Sequence, residues 1–93
     1  MLILSLTYIS SPEQADTQMQ PHMDWVNAGY DKGWFLASGR KVPRTGGVIF
    51  AKGDRAEIEA YCMDDPFVIH NIATYEITEL VLTRAIPSVE GLK

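Results

Sequence analysis

A chain of 93 residues, 46% hydrophobic and 22% charged, fits one domain and is too apolar for disorder. A net charge of −4, with 8 Lys plus Arg against 12 Asp plus Glu, leaves no phosphate-binding stripe and argues against nucleic acid as a partner. The single cysteine, Cys62, cannot form an internal disulfide, and no apolar run approaches the ~20 residues that span a membrane, so a cytoplasmic protein is expected, with no membrane partner.

Residues 2–9 alternate. Leu2, Leu4, Leu6 and Tyr8 share one face, and Ile3, Ser5, Thr7 and Ile9 share the other, which predicts a strand with one wholly apolar and one mixed face. Ser10-Ser11-Pro12 ends that run. Met19, Met23, Val26 and Tyr30 then recur at i, i+4, i+7 and i+11, the spacing of one helix face. Pro21 is tolerated only in a first turn, so the regular helix is expected to begin near Pro21 and to stop at Gly33. Residues 34–40 and 46–52 read as two strands. The short link Lys41–Thr45 between them makes the pair antiparallel. Asp54, with Glu57 three positions on, has the reciprocal capping pattern of a helix start, and Ala56, Ile58, Ala60 and Tyr61 supply its apolar contact. The ring of Pro66 disfavours a helical Asp65, so this helix should stop about Asp64. Residues 73–83, rich in β-branched side chains and including Tyr75, read as the last strand, and residues 84–93 as a loosely packed tail.

The order is β-α-β-β-α-β, the α+β ferredoxin-like plan in which two helices cover one face of a four-stranded antiparallel sheet. The chain is read as one domain over residues 1–93, with a core over about residues 1–83. An apolar sheet face left open on a monomer would exceed the usual patch size, so a homodimer is expected.

Three separated segments carry the candidate chemistry: Pro21-His22, Gly33-Trp34-Phe35-Leu36-Ala37-Ser38-Gly39 and Asp65-Pro66-Phe67. His22, in the first turn of its helix, is placed as a general acid or base, or is a surface or capping histidine. Asp65 can orient that imidazole, or can bond its own backbone as a turn residue. The backbone restriction from Pro66 favours Asp65 over Asp64. Ser38 offers a hydroxyl to a ligand or fills a strand end, and His70 reads as a loop residue rather than a second acid/base group. His22, Cys62, Asp64, Asp65 and His70 lack the close paired spacing of a structural zinc site, so no metal is expected. Glycine-rich nucleotide motifs are absent and no cofactor is expected.

In their order and spacing over roughly residues 1–83 the three segments resemble the YciI-like (YCII-related) family. The resemblance implies a dimeric α/β barrel and a pocket lined by His22 and Asp65, the expected catalytic pair; Ser38, Gly39, Arg40 and Phe67 are the candidate substrate-binding residues. It departs from the family in two places. Gly39-Arg40 stands where members often have Gly-Pro, and Val68-Ile69-His70-Asn71 where they often have small residues. Arg40 either adds a cation at the pocket mouth, suited to an acidic substrate, or guards a sheet edge against aggregation. The expected function is a small-molecule enzyme using a His–Asp pair for lyase- or isomerase-type chemistry. The alternatives are a ligand-binding or regulatory dimer and a domain that only mediates interactions. The expected partners are a second copy of the chain and a small ligand.

Overall fold

Residues 1–93 are described by a computed structural model. Leu2–Tyr8 forms β1, Pro12–Thr17 α1, Met19–Asp31 α2, Phe35–Arg40 β2 and Gly46–Ala51 β3. Arg55–Cys62 forms α3, Pro66–Ile69 α4 and Ala73–Glu79 β4. The strands lie in the order β2-β3-β1-β4 and every neighbouring pair is antiparallel, which is the α+β ferredoxin-like arrangement the element order predicts. No helix is long and apolar enough to cross a membrane.

Alternation in β1 decides which face is covered. Leu2, Leu4 and Leu6 are buried, and each sits opposite residues of β3 and β4 that turn the same way. Leu2 and Leu4 pack with Phe35, Ile49 and Ala51 of the sheet against Trp25 and Val26 of α2 and Ile58 and Cys62 of α3. Leu6 and Ala73 pack instead with Ala15 of α1 and Phe67 of α4. All four helices therefore lie on one side. The other side keeps Ile3 and Val48 half-buried and leaves Phe50 39% exposed, among Thr7, Thr74, Glu76 and Thr78.

Two helices were absent from the sequence reading. Ser10-Ser11-Pro12 does end the first strand, but it also starts α1. The Ser11 hydroxyl accepts from the Gln14 amide at 3.2 Å and Pro12 occupies the first turn. The stretch after Asp65 likewise winds into a short helix, α4, over Pro66–Ile69. The long helix α2 begins at Met19, two residues before Pro21. The missing Pro21 amide costs nothing because amides in a first turn have no intrahelical acceptor. α2 ends as Gly33 predicts. With φ at +78°, Gly33 donates to the Tyr30 carbonyl at 2.9 Å and Trp34 donates to the Gly29 carbonyl at 3.2 Å, satisfying two terminal carbonyls. At Asp54 only half of the predicted reciprocal cap is present: its carboxylate accepts from the Glu57 amide at 2.9 Å. The last strand stops at Glu79, which pairs with Leu2, rather than at 83; just past it the Leu80 amide donates to the Met1 carbonyl at 2.8 Å and the Leu80 carbonyl accepts from the Met1 ammonium at 3.1 Å. The tail is not wholly loose. Pro87–Leu92 forms a 3-10 turn whose Gly91 carbonyl accepts from the Lys52 ammonium at 3.5 Å.

One irregularity redirects side chains. β2 carries a bulge between Phe35 and Ala37, after which Ser38 pairs with Ile49 and Arg40 with Gly47. Strict alternation from Phe35 would have turned Ala37 and Gly39 toward the helices. One extra residue reverses the parity, so Ser38 and Arg40 face that side instead.

Candidate active site

The site begins with a helix cap. Pro66 at the start of α4 holds Asp65 at φ −59° and ψ 126°, and its carboxylate accepts from the Phe67 amide at 2.9 Å. The Tyr75 hydroxyl, brought beside it by the Leu6–Tyr75 register of β1 and β4, donates to Oδ2 at 2.6 Å. The Tyr75 hydroxyl is pushed well above the ordinary tyrosine range. Burial is the main cause, with the charge of Asp65 and the bond to it adding to the effect, so Tyr75 stays a donor. Asp65 itself is 0% exposed.

The third partner comes from α2. Nδ1 of His22 lies 2.8 Å from Oδ1 and 3.0 Å from Oδ2 of Asp65. An aspartate only accepts, so the Nδ1 proton points at Asp65 and a neutral ring presents Nε2 as its free lone pair. Nε2 has no partner in the protein and is not shut off from solvent. The ring orientation is fixed a second time by stacking on Phe67, with centroids 4.0 Å apart and planes 3° from parallel. His22 is buried, and its backbone amide makes one of the first bonds of the helix ladder, to the Gln18 carbonyl at 3.0 Å.

His22 and Phe67 open onto a cavity of about 350 Å3 between α2 and the sheet. Met19 and Met23 extend its helical wall, and Leu6 and Tyr8 of β1 lie beneath. Ser38, Gly39 and Arg40 form the opposite side, brought there by the bulge. The Ser38 hydroxyl shares a 2.8 Å hydrogen bond with the Tyr30 hydroxyl and so has a partner already. Asp64 stays outside, exposed, as does His70, which caps the C-terminal end of α4. The histidines, the acids and Cys62 are not gathered into a metal-binding cluster. The Cys62 thiol is 1% exposed and pushed up to about 12, chiefly by burial and then by the charge of Asp65, which removes it as a nucleophile.

Sequence reasoning missed Tyr75 and Tyr8. Tyr75 carried one usable signal, a hydroxyl-bearing aromatic on the inward face of a strand, where such a group needs a partner.

A ferredoxin-like sheet bearing a buried His–Asp pair at the wall of a small cavity is the scaffold of a small α+β domain with a ligand-sized site. Residues 1–81 match the YCII-related domain, and the chain belongs to that family. Among curated proteins no sequence relative is detected. Among solved structures, 5-chloro-2-hydroxyhydroquinone dehydrochlorinase (TftG) from Burkholderia phenoliruptrix AC1100, in complex with 2,5-dihydroxybenzoquinone, superposes with a TM-score of 0.63. The match covers 87% of this chain and 94% of that chain at 13% identity, a likeness of fold.

Proposed function

We propose that this protein is a small-molecule enzyme of the YCII-related family that moves a proton with His22, positioned by Asp65. The observation that carries the reading is the buried pair itself: Nδ1 is 2.8 Å from a fully buried carboxylate and Nε2 is left free at a cavity wall. A substrate C–H or O–H held against Nε2 gives its proton to the ring. The resulting imidazolium then lies against a carboxylate already fixed by Tyr75 and Phe67. Returning that proton to a leaving group completes an elimination; returning it to another carbon completes an isomerisation. The solved neighbour is named a dehydrochlorinase and holds a dihydroxybenzoquinone, so eliminations on hydroxylated rings are the first chemistry to test here.

The test is a turnover screen of small cyclic hydroxy compounds and small acids. With a substrate in hand, His22→Gln should lower turnover by roughly 10²–10⁴ while the fold is kept, and Asp65→Asn should lower it too. Unchanged turnover in His22→Gln would exclude the mechanism. Tight ligands without turnover would favour a binding or regulatory protein built on the same pocket.

A further inference from the structure

We infer that Arg40 is the anion-recognition residue of this cavity, and that the ligand is a small carboxylate whose acid group pairs with its guanidinium while its apolar part lies toward His22. The inference rests on reading the cavity as a ligand site. Among the lining residues Arg40 is the one fixed charge: no Asp, Glu or Lys faces the same space. The neighbouring cations are engaged elsewhere. Lys41 donates to the Thr7 hydroxyl at 3.0 Å and Arg44 to the Asp16 carboxylate at 2.6 Å, whereas the Arg40 guanidinium has no hydrogen bond or ion pair within the chain. The β2 bulge is what turns Arg40 to this side, and its register partner is Gly47, which puts no side chain in the way. A bulge that re-aims a side chain into a cavity is a recurrent device near binding sites.

The chemical class follows from the surroundings. A single guanidinium with no second cation matches a planar monoanion in a two-bond fork better than a phosphate dianion. The rest of the wall, Met19, Met23 and Phe67, is apolar, and about 350 Å3 lies near the lower end of small-molecule pockets (roughly 300–1,000 Å3), which holds a single ring.

Calorimetric and NMR titrations of the full chain test this with benzoate, 2-hydroxybenzoate, maleate and acetate, with benzamide as neutral isostere and phenyl phosphate as competing anion. At least one carboxylate should bind, weaken with added salt, and bind more tightly than benzamide and phenyl phosphate. Arg40→Gln should weaken that carboxylate by about 10-fold or more and leave benzamide unchanged, with Arg40→Lys in between. His22→Gln should keep the carboxylate preference, which separates Arg40 from a charged imidazole. The inference is overturned if no carboxylate binds the wild type at millimolar concentration, if benzamide or phenyl phosphate binds as well as the best carboxylate, or if Arg40→Gln keeps the preference. It is also overturned if Arg40→Gln aggregates while binding as before, the result expected of an edge guard. Failure of the acid/base reading looks different: His22→Gln would keep full turnover while Arg40→Gln still lost the carboxylate.

Discussion

Asp65 accepts three hydrogen bonds with two oxygens, and its burial makes each of them matter. Tyr75→Phe removes the donor at Oδ2 and leaves a buried charge with two partners. It should lower unfolding free energy by about 1–3 kcal/mol, as measured by urea denaturation. Asp65→Asn puts an amide where three donors converge, so it should cost a comparable amount of stability and also lose the Nδ1–H tautomer that leaves Nε2 free. The pH dependence has a definite sign. Cys62 is raised from 9.0 to about 12 and Tyr75 is raised above its ordinary range, so the folded chain holds protons that the unfolded chain releases. That contribution to stability is intact below about pH 9, is lost through Cys62 up to about pH 12, and is lost through Tyr75 from about pH 10 upward. Thermal melts at stepped alkaline pH should show this fall, reduced in Tyr75→Phe. Native protein at pH 8 should leave Cys62 unmodified by a thiol reagent that labels it after denaturation.

At the scale of elements, the strands and the two longer helices were legible because periodicity is a property of many residues at once. α1 has six residues and α4 four, too few to show a period. Both were marked only by their starts, Ser11-Pro12 and Asp65-Pro66, in which a cap and a helix breaker are the same dipeptide read from opposite sides. The β2 bulge left no mark, and with it went the true facing of Ser38 and Arg40. That His22 and Asp65 meet across 43 positions was implied by the family resemblance and not by spacing, since it depends on α2 and α4 packing at one end of the sheet. Gly29 shows how tightly α2 sits on β2. A Cβ there would lie 2.2 Å from the Phe35 ring. Gly29→Ala should therefore destabilise by about 1–3 kcal/mol despite the better helix propensity of alanine, and a lowered melting temperature would check it.

For the whole molecule, we propose that a second copy of the chain covers the open sheet face. Ile3, Val48 and Phe50 form an apolar strip there, bordered by threonines and Glu76. Light scattering at micromolar concentration should give twice the chain mass, and Phe50→Asp should halve it without unfolding, because Phe50 is 39% exposed in the single chain. A wild-type reading at the mass of one chain would reject the dimer.

The central position of β1 governs how the site can come into being. Its neighbours are β3 and β4, and the one strand pairing that closes over a short loop is β2 with β3. Every other pairing must wait for distant segments to meet, a loop-closure cost met only when several contacts form together. The Tyr75–Asp65 bond depends on β4 docking against β1, so the imidazole has its full support only in the completed sheet. During refolding, burial of Trp25, whose ring centroid lies 6.0 Å from those of His22 and Tyr75, and recovery of ligand binding should rise on one time course. A half-assembled chain would carry His22 and Asp65 without the pair.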